Sequence, residues 1–158
     1  MSQPIRKGSV LVIDDEVDVL NALQRQLKRY YEVFIVNSAI DGYTVLRDHT
    51  IDVVISDQRM PDVPGNEFLA NVHENWPRAK LILLTGYSDM SAVVDSVNRA
   101  HIFSYVEKPW NIEAFRAIVQ KAYQASLVPG PKAVDLITKS VTEDIISEIG
   151  KLCKPRAE

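Results

Sequence analysis

The sequence predicts an α/β fold: a doubly wound, five-stranded parallel sheet with five helices, followed by a C-terminal helical extension. Three observations carry this. From residue 9 to about 128, short β-branched apolar runs alternate with longer stretches of helical period, and the alternation repeats five times. Three of the runs are apolar nearly throughout, as strands covered on both faces are. The stretches between runs carry apolar residues three and four apart, which is the spacing of one buried helix face, and strands alternating with such helices pair in parallel.

The first run, Ser9-Val-Leu-Val-Ile13, precedes a helix with Val17, Leu20, Leu23, Leu27 and Tyr30 on its apolar face. The second, Glu32-Val-Phe-Ile-Val36, leads to Ser38, whose hydroxyl can accept from the open N–H groups of a helix over Ile40, Tyr43 and Leu46. The third, Asp52-Val-Val-Ile-Ser56, leads to Phe68, Leu69, Val72 and Trp76. After the fourth, Lys80-Leu-Ile-Leu-Leu84, a weaker helix carries Met90, Val93, Val94 and Val97, with Ser88 or Asp89 as its cap. The fifth, Ile102-Phe-Ser-Tyr-Val106, leads to Ile112, Phe115, Ile118, Val119 and Tyr123.

Pro129-Gly130-Pro131 ends the last helix, because proline cannot continue the backbone ladder. A boundary is therefore expected at residue 128, with 129–158 forming a linker and an amphipathic helical extension. Its apolar positions, Val134, Ile137, Val141, Ile145, Ile149 and Leu152, follow three- and four-residue steps. Ser140 and Glu143 form a capping box, so two short helices can replace one rod. Either the stripe packs back on its own domain or frays as the stub of a linker, or it pairs with its copy in a second chain as a homodimer or as the start of a signalling helix to an effector.

Composition limits the function classes. At 158 residues, 46% apolar and 25% charged, the chain suits one domain with a modest appendage and excludes two full-sized domains. Eighteen Lys and Arg against 21 Asp and Glu give a net charge of −3. No basic excess is available to neutralise a phosphate backbone, so direct nucleic-acid binding by this chain is not expected. The single cysteine, Cys153, excludes an intramolecular disulfide scaffold and a multi-cysteine zinc site, and a reducing, cytoplasmic setting is the simplest reading. The apolar run before Asp14 is too short for a signal peptide or a membrane span.

In a doubly wound sheet, ligands sit beyond the carboxyl ends of the strands. There the sequence places Asp14, Asp15 and Glu16 after the first run, Asp57 after the third, Thr85 and Gly86 after the fourth, and Glu107 and Lys108 after the fifth. Parallel pairing would gather Asp14, Asp15 and Asp57 at one edge, where mutual repulsion raises their pKa values unless a cation compensates. Oxygen-only ligands with few carboxylates suit magnesium better than calcium. A cation would leave Asp57 ionised and able to attack phosphorus, with the Lys108 amine and the Thr85 hydroxyl stabilising charge on the transferred oxygens. Each residue also has a plainer reading. Adjacent aspartates can simply cap a helix, Asp57 and Thr85 can begin turns, and Lys108 can be a surface lysine. Their common position at strand carboxyl ends favours the joint site. His49, His73 and His101 lie away from those ends and receive no catalytic role.

The segments Val10-Leu-Val-Ile-Asp-Asp-Glu16, Val53-Val-Ile-Ser-Asp-Gln-Arg-Met-Pro-Asp62, Leu83-Leu-Thr-Gly86 and Tyr105-Val-Glu-Lys-Pro109 resemble a bacterial response-regulator receiver domain, CheY-like in type. The resemblance implies a flavodoxin-like strand order of 2-1-3-4-5 and a receiver domain over residues 1–128. It implies that Asp57 accepts a phosphoryl group from a sensor histidine kinase or phosphotransfer protein. It further implies that Asp15 binds Mg2+ directly and Asp14 through water, with the backbone carbonyl of Arg59 as another ligand. Thr85 and Lys108 become the phosphoryl-contacting pair, Tyr105 the aromatic that changes rotamer with Thr85, and Lys108-Pro109 a cis peptide. Arg59 and Tyr87, two residues beyond the acceptor and the threonine, should affect how water reaches the acyl phosphate.

Two other functions compete. A magnesium-dependent phosphatase with an aspartyl-phosphate intermediate uses similar residue types, but would need a second acid two residues after its nucleophile and a cap over the substrate. Glu16 is a poor substitute for that acid, and no insertion is long enough for a cap. A receiver serving as an unphosphorylated scaffold would be expected to lose an acidic or lysine position, and none is lost. The leading expectation is a signalling switch, not a turnover enzyme.

Overall fold

The computed structural model describes residues 7–86, 89 and 101–128. Contacts divide the chain between Val128 and Pro129, and all described residues belong to the first of the two units. The helix expected over Met90, Val93, Val94 and Val97, the position of Tyr87, and the apolar stripe from Val134 to Leu152 lie outside the described residues.

Five parallel strands form one sheet in the order β2-β1-β3-β4-β5. They are β1 (Ser9–Ile13), β2 (Glu32–Val36), β3 (Val53–Asp57), β4 (Lys80–Thr85) and β5 (Ser104–Glu107). Among the described residues the helices are α1 (Val17–Leu27), α2 (Ala39–Asp48), α3 (Gly65–Asn75) and α4 (Ile112–Leu127). The fold class and strand order are those the sequence predicts. None of these helices is long and apolar enough to cross a membrane.

Alternation along the strands builds a core on each face. Leu11, Ile13, Val54, Leu81 and Leu83 point to one side, against Leu46 of α2 and Phe68, Leu69 and Val72 of α3. Val10, Val12, Val53, Ile55, Ile82 and Leu84 point to the other, against Leu20, Leu23 and Leu27 of α1 and Phe115 and Val119 of α4. Each leucine buried from α1 contributes on the order of 2 kcal/mol of apolar transfer. The central strands β1 and β3 are buried throughout, whereas edge strand β2 is only partly covered, and this explains its mixed composition.

Five details depart from the sequence reading. Ile112, expected on the apolar face of α4, is 45% exposed. α1 stops at Leu27, so Tyr30 lies beyond it and is 51% exposed, while Val17, at its first position, is 58% exposed instead of packed. α2 buries Ala39, Gly42 and Leu46 and leaves Ile40 74% exposed, so its inward face is rotated by one residue. The cause is close packing: a Cβ on Gly42 would stand 2.9 Å from Cζ of Phe68, so only glycine lets this helix approach. β5 starts at Ser104, two residues later than expected. β3 and β4 each run one residue further, because Asp57 pairs with Leu84 and Thr85 with Glu107.

Local hydrogen bonds fix the helix starts. The Ser38 hydroxyl accepts from Asp41 N–H at 3.2 Å, as expected, and the Asp62 carboxylate accepts from Ala39 N–H at 3.2 Å. That bond holds the Asp62 carboxyl below the usual carboxylate range. Asn111 caps α4 by accepting from Ala114 N–H at 2.9 Å. The Lys108–Pro109 peptide is cis.

Candidate functional site

The carboxyl ends of β1, β3 and β5 bring Asp14, Asp15, Asp57 and Lys108 together. One carboxylate oxygen from each of Asp14, Asp15 and Asp57 lies within 4.8 Å of the others, with Asp14 and Asp57 buried and Asp15 exposed. Lys108 Nζ stands 2.9 Å from Asp57 Oδ1 and 3.4 Å from Asp14 Oδ2. Its backbone N–H donates to the Thr85 carbonyl at 2.8 Å, which ties the lysine to the end of β4.

The electrostatics follow from burial. Desolvation pushes the Asp14 carboxyl up to about 6, with the charge of Asp57 adding to the rise while the Glu16 N–H and Lys108 oppose it. Asp57 is raised for the same first reason, again opposed by Lys108. For Lys108, burial alone would lower the ammonium, but the hydrogen bond to Asp57 and the charges of Asp14 and Asp57 outweigh it, and the net shift is upward. Two buried carboxylates face one ammonium, with the exposed Asp15 carboxylate beside them. The donors are all hard oxygens, and one lies open to water, which fits a small divalent cation that keeps part of its hydration shell.

Asp14 serves as cap and site at once. Its Oδ1 accepts from Glu16 N–H at 2.8 Å at the start of α1, while Oδ2 faces Lys108. Glu16 itself offers no side-chain capping bond. The plain capping reading and the site reading therefore use different oxygens of one carboxylate.

A cleft of about 350 Å³ opens over these groups, lined among others by Asp15, Asp57, Arg59, Gly86, Asp89 and Lys108. Arg59 directs Nε to Asp89 Oδ1 at 2.9 Å. Thr85, at the end of β4, is fully buried and does not line the cleft. Tyr105 lies on β5 beside Leu83 of β4 and packs against the α2 and α3 side of the core. Its hydroxyl is buried with no hydrogen-bond partner among the described residues, and burial raises its pKa.

Two features of this region were not read from sequence. Gly65, the first residue of α3, packs so tightly against the carboxyl end of β3 that any Cβ would fall on the Asp57 carbonyl oxygen. Gln58 and Asn66 exchange side-chain bonds, with Gln58 Nε2 donating to Asn66 Oδ1 at 3.0 Å and Asn66 N–H donating to Gln58 Oε1 at 2.9 Å. Glycine before a helical stretch is too common to single out, and the amide pair spans a loop whose course no local pattern gives. The histidines lie elsewhere: His49 packs on Phe34 with ring centroids 4.5 Å apart, and His73 stacks on His101 at 4.2 Å.

Residues 10–120 match the response regulator receiver domain family. The chain is 36% identical over 125 residues to the hydrogenase transcriptional regulatory protein HoxA of Cupriavidus necator, covering 79% of this chain and 26% of that protein. The chain thus spans about a quarter of the length of that relative. Among solved structures, the signal receiver domain of an HD domain-containing protein from Pseudomonas fluorescens Pf-5 superposes with a TM-score of 0.74 at 26% identity, covering 80% of this chain and 93% of that one. A CheY-like response regulator receiver domain protein from Methanospirillum hungatei JF-1 superposes with a TM-score of 0.73 at 26% identity, covering 78% and 99%.

Proposed function

The chain belongs to the response regulator receiver domain family, a signalling domain, and from that premise we propose that it is a phosphorylation-controlled switch of a two-component system. Asp57 is the acceptor. One of its carboxylate oxygens attacks the phosphorus of a phosphohistidine on a sensor kinase or phosphotransfer protein. The new O–P bond forms as the P–N bond breaks, and the electron pair of that bond returns to the imidazole. Hydrolysis reverses the state: water attacks phosphorus, inorganic phosphate leaves and the Asp57 carboxylate is restored.

The observation that carries this reading is the Lys108 ammonium 2.9 Å from Asp57 Oδ1, among three clustered carboxylates. Lys108 orients the acceptor and afterwards balances charge on the phosphoryl oxygens, and the Thr85 hydroxyl is drawn to the same oxygens. Tyr105 then follows Thr85 into a new rotamer, changing the surface that a partner or output segment reads. Asp14, Asp15 and Asp57, with the backbone carbonyl of Arg59, would hold Mg2+, which when bound supplies positive charge to the transferred group. The switch works in the cytoplasm, and its output lies with a partner or with sequence outside residues 1–128.

Intact-mass measurement tests the assignment. With Mg2+ and acetyl phosphate, the chain should gain one phosphoryl group, and Asp57→Asn should gain none. Stoichiometric labelling of Asp57→Asn overturns it, and steady turnover of phosphate monoesters would favour a phosphatase instead.

A further inference from the structure

Asp89 turns its carboxylate back over the acceptor cleft. Its Oδ1 accepts from Arg59 Nε at 2.9 Å, and its Oδ2 stands 3.4 Å from the backbone nitrogen of Gly86. Its own N–H donates to the Gly86 carbonyl at 3.0 Å. The Asp89 side chain is only 15% exposed, whereas that of Arg59 is 71% exposed.

Arg59, Gly86 and Asp89 line the same cleft as Asp57 and Lys108. Among the described residues Arg59 and Lys108 are the cations of that lining, and Lys108 already serves Asp14 and Asp57. A phosphoryl group entering beside Asp15, Glu16 and Asp57 brings more negative charge and needs donors. A guanidinium and a backbone N–H are groups that carboxylate and phosphate oxygens compete for. Here both already face the Asp89 carboxylate, one through a short ion pair and the other through a long, weak bond that is easily given up.

We propose that Asp89 is a positioning residue, an internal anion that holds the Arg59 guanidinium and the Gly86 N–H until a phosphoryl group on Asp57 displaces it. This rests on Asp57 being the acceptor. Asp89 then restrains phosphorylation through Arg59, and its release links modification to the loop after Thr85. Glu16 lines the same cleft, so it reports what removal of one negative charge does by itself.

The test is the acetyl phosphate concentration giving half-maximal phosphorylation rate, at saturating Mg2+, followed by intact mass. Asp89→Asn should lower that concentration about two- to fivefold, the equivalent of a partly exposed ion pair, and leave the maximal rate unchanged. Arg59→Gln should raise it, and in the Arg59→Gln background Asp89→Asn should lower it no more than Glu16→Gln does. Glu16→Gln should shift it equally with and without Arg59. An unchanged or raised value for Asp89→Asn overturns the proposal, as does the same lowering in the Arg59→Gln background, which would be charge removal alone. A parent chain that gains no phosphoryl group overturns the acceptor assignment and this proposal together, whereas a normally labelled parent with an unresponsive Asp89→Asn overturns only this one.

Discussion

Lys108, one residue past β5, reaches across the end of β4 to place its ammonium 2.9 Å from Oδ1 of Asp57, the last residue of β3. The same ammonium lies 3.4 Å from Asp14, so it is the cation shared by two buried carboxylates. Removing it leaves two desolvated like charges facing each other. Lys108→Ala should therefore destabilise the metal-free protein at pH 8 by about 1–3 kcal/mol, less than for a fully buried pair because the lysine side chain is 25% exposed. Thermal melts in a chelator and in Mg2+ check this, and the divalent cation should recover most of the loss.

Asp14 makes stability depend on pH. Its folded value of about 6 lies above the ordinary 3.8, so between these values the folded chain binds more protons than the unfolded one. Stability of the metal-free protein should fall as pH rises through this window, the cost being complete above about 6. Asp14→Asn keeps an oxygen for Glu16 N–H and removes the buried charge, so it should flatten that slope and stabilise the metal-free chain by about 1–3 kcal/mol at pH 8. Urea unfolding at several pH values measures both.

Tyr105 buries a hydroxyl that has no hydrogen-bond partner among the described residues. Tyr105→Phe should leave the unmodified protein as stable as the parent, or more stable by up to about 1 kcal/mol, because no hydrogen bond is lost and an unsatisfied group is removed. If the hydroxyl is used only in the modified state, beryllofluoride should change amide spectra near Thr85 in both proteins and shift the β5 resonances less in the variant.

Gly65 is required for space, since no glycine among the described residues has positive φ. Gly65→Ala would drive a methyl into the Asp57 carbonyl and should cost about 1–3 kcal/mol, like other overpacked sites. The displaced end of β3 should also slow phosphorylation of Asp57, whereas Ala70→Gly, further along α3 and facing the core side of the helix only partly, should lower stability without a matching loss of rate. Denaturant melts paired with intact-mass kinetics separate the two.

The sequence alone determined the five-strand alternation, the two-sided burial of β1, β3 and β4, the cap at Ser38, and the clustering of Asp14, Asp15, Asp57 and Lys108. These are legible because period-2 and period-3.6 patterns are local, and because a parallel sheet sends every strand's carboxyl end to the same edge. Tertiary structure decided what no local pattern holds. α2 is rotated so that Gly42 meets Phe68, although Ile40 is the more apolar residue, because close approach there outweighs the burial of one more side chain. The oxygens of Asp14 divide between a helix cap and Lys108, and the Asp89 carboxylate divides between Arg59 and Gly86. Such pairings join residues remote in the chain, and they depend on distances of a few ångströms that only the packed sheet and its loops set.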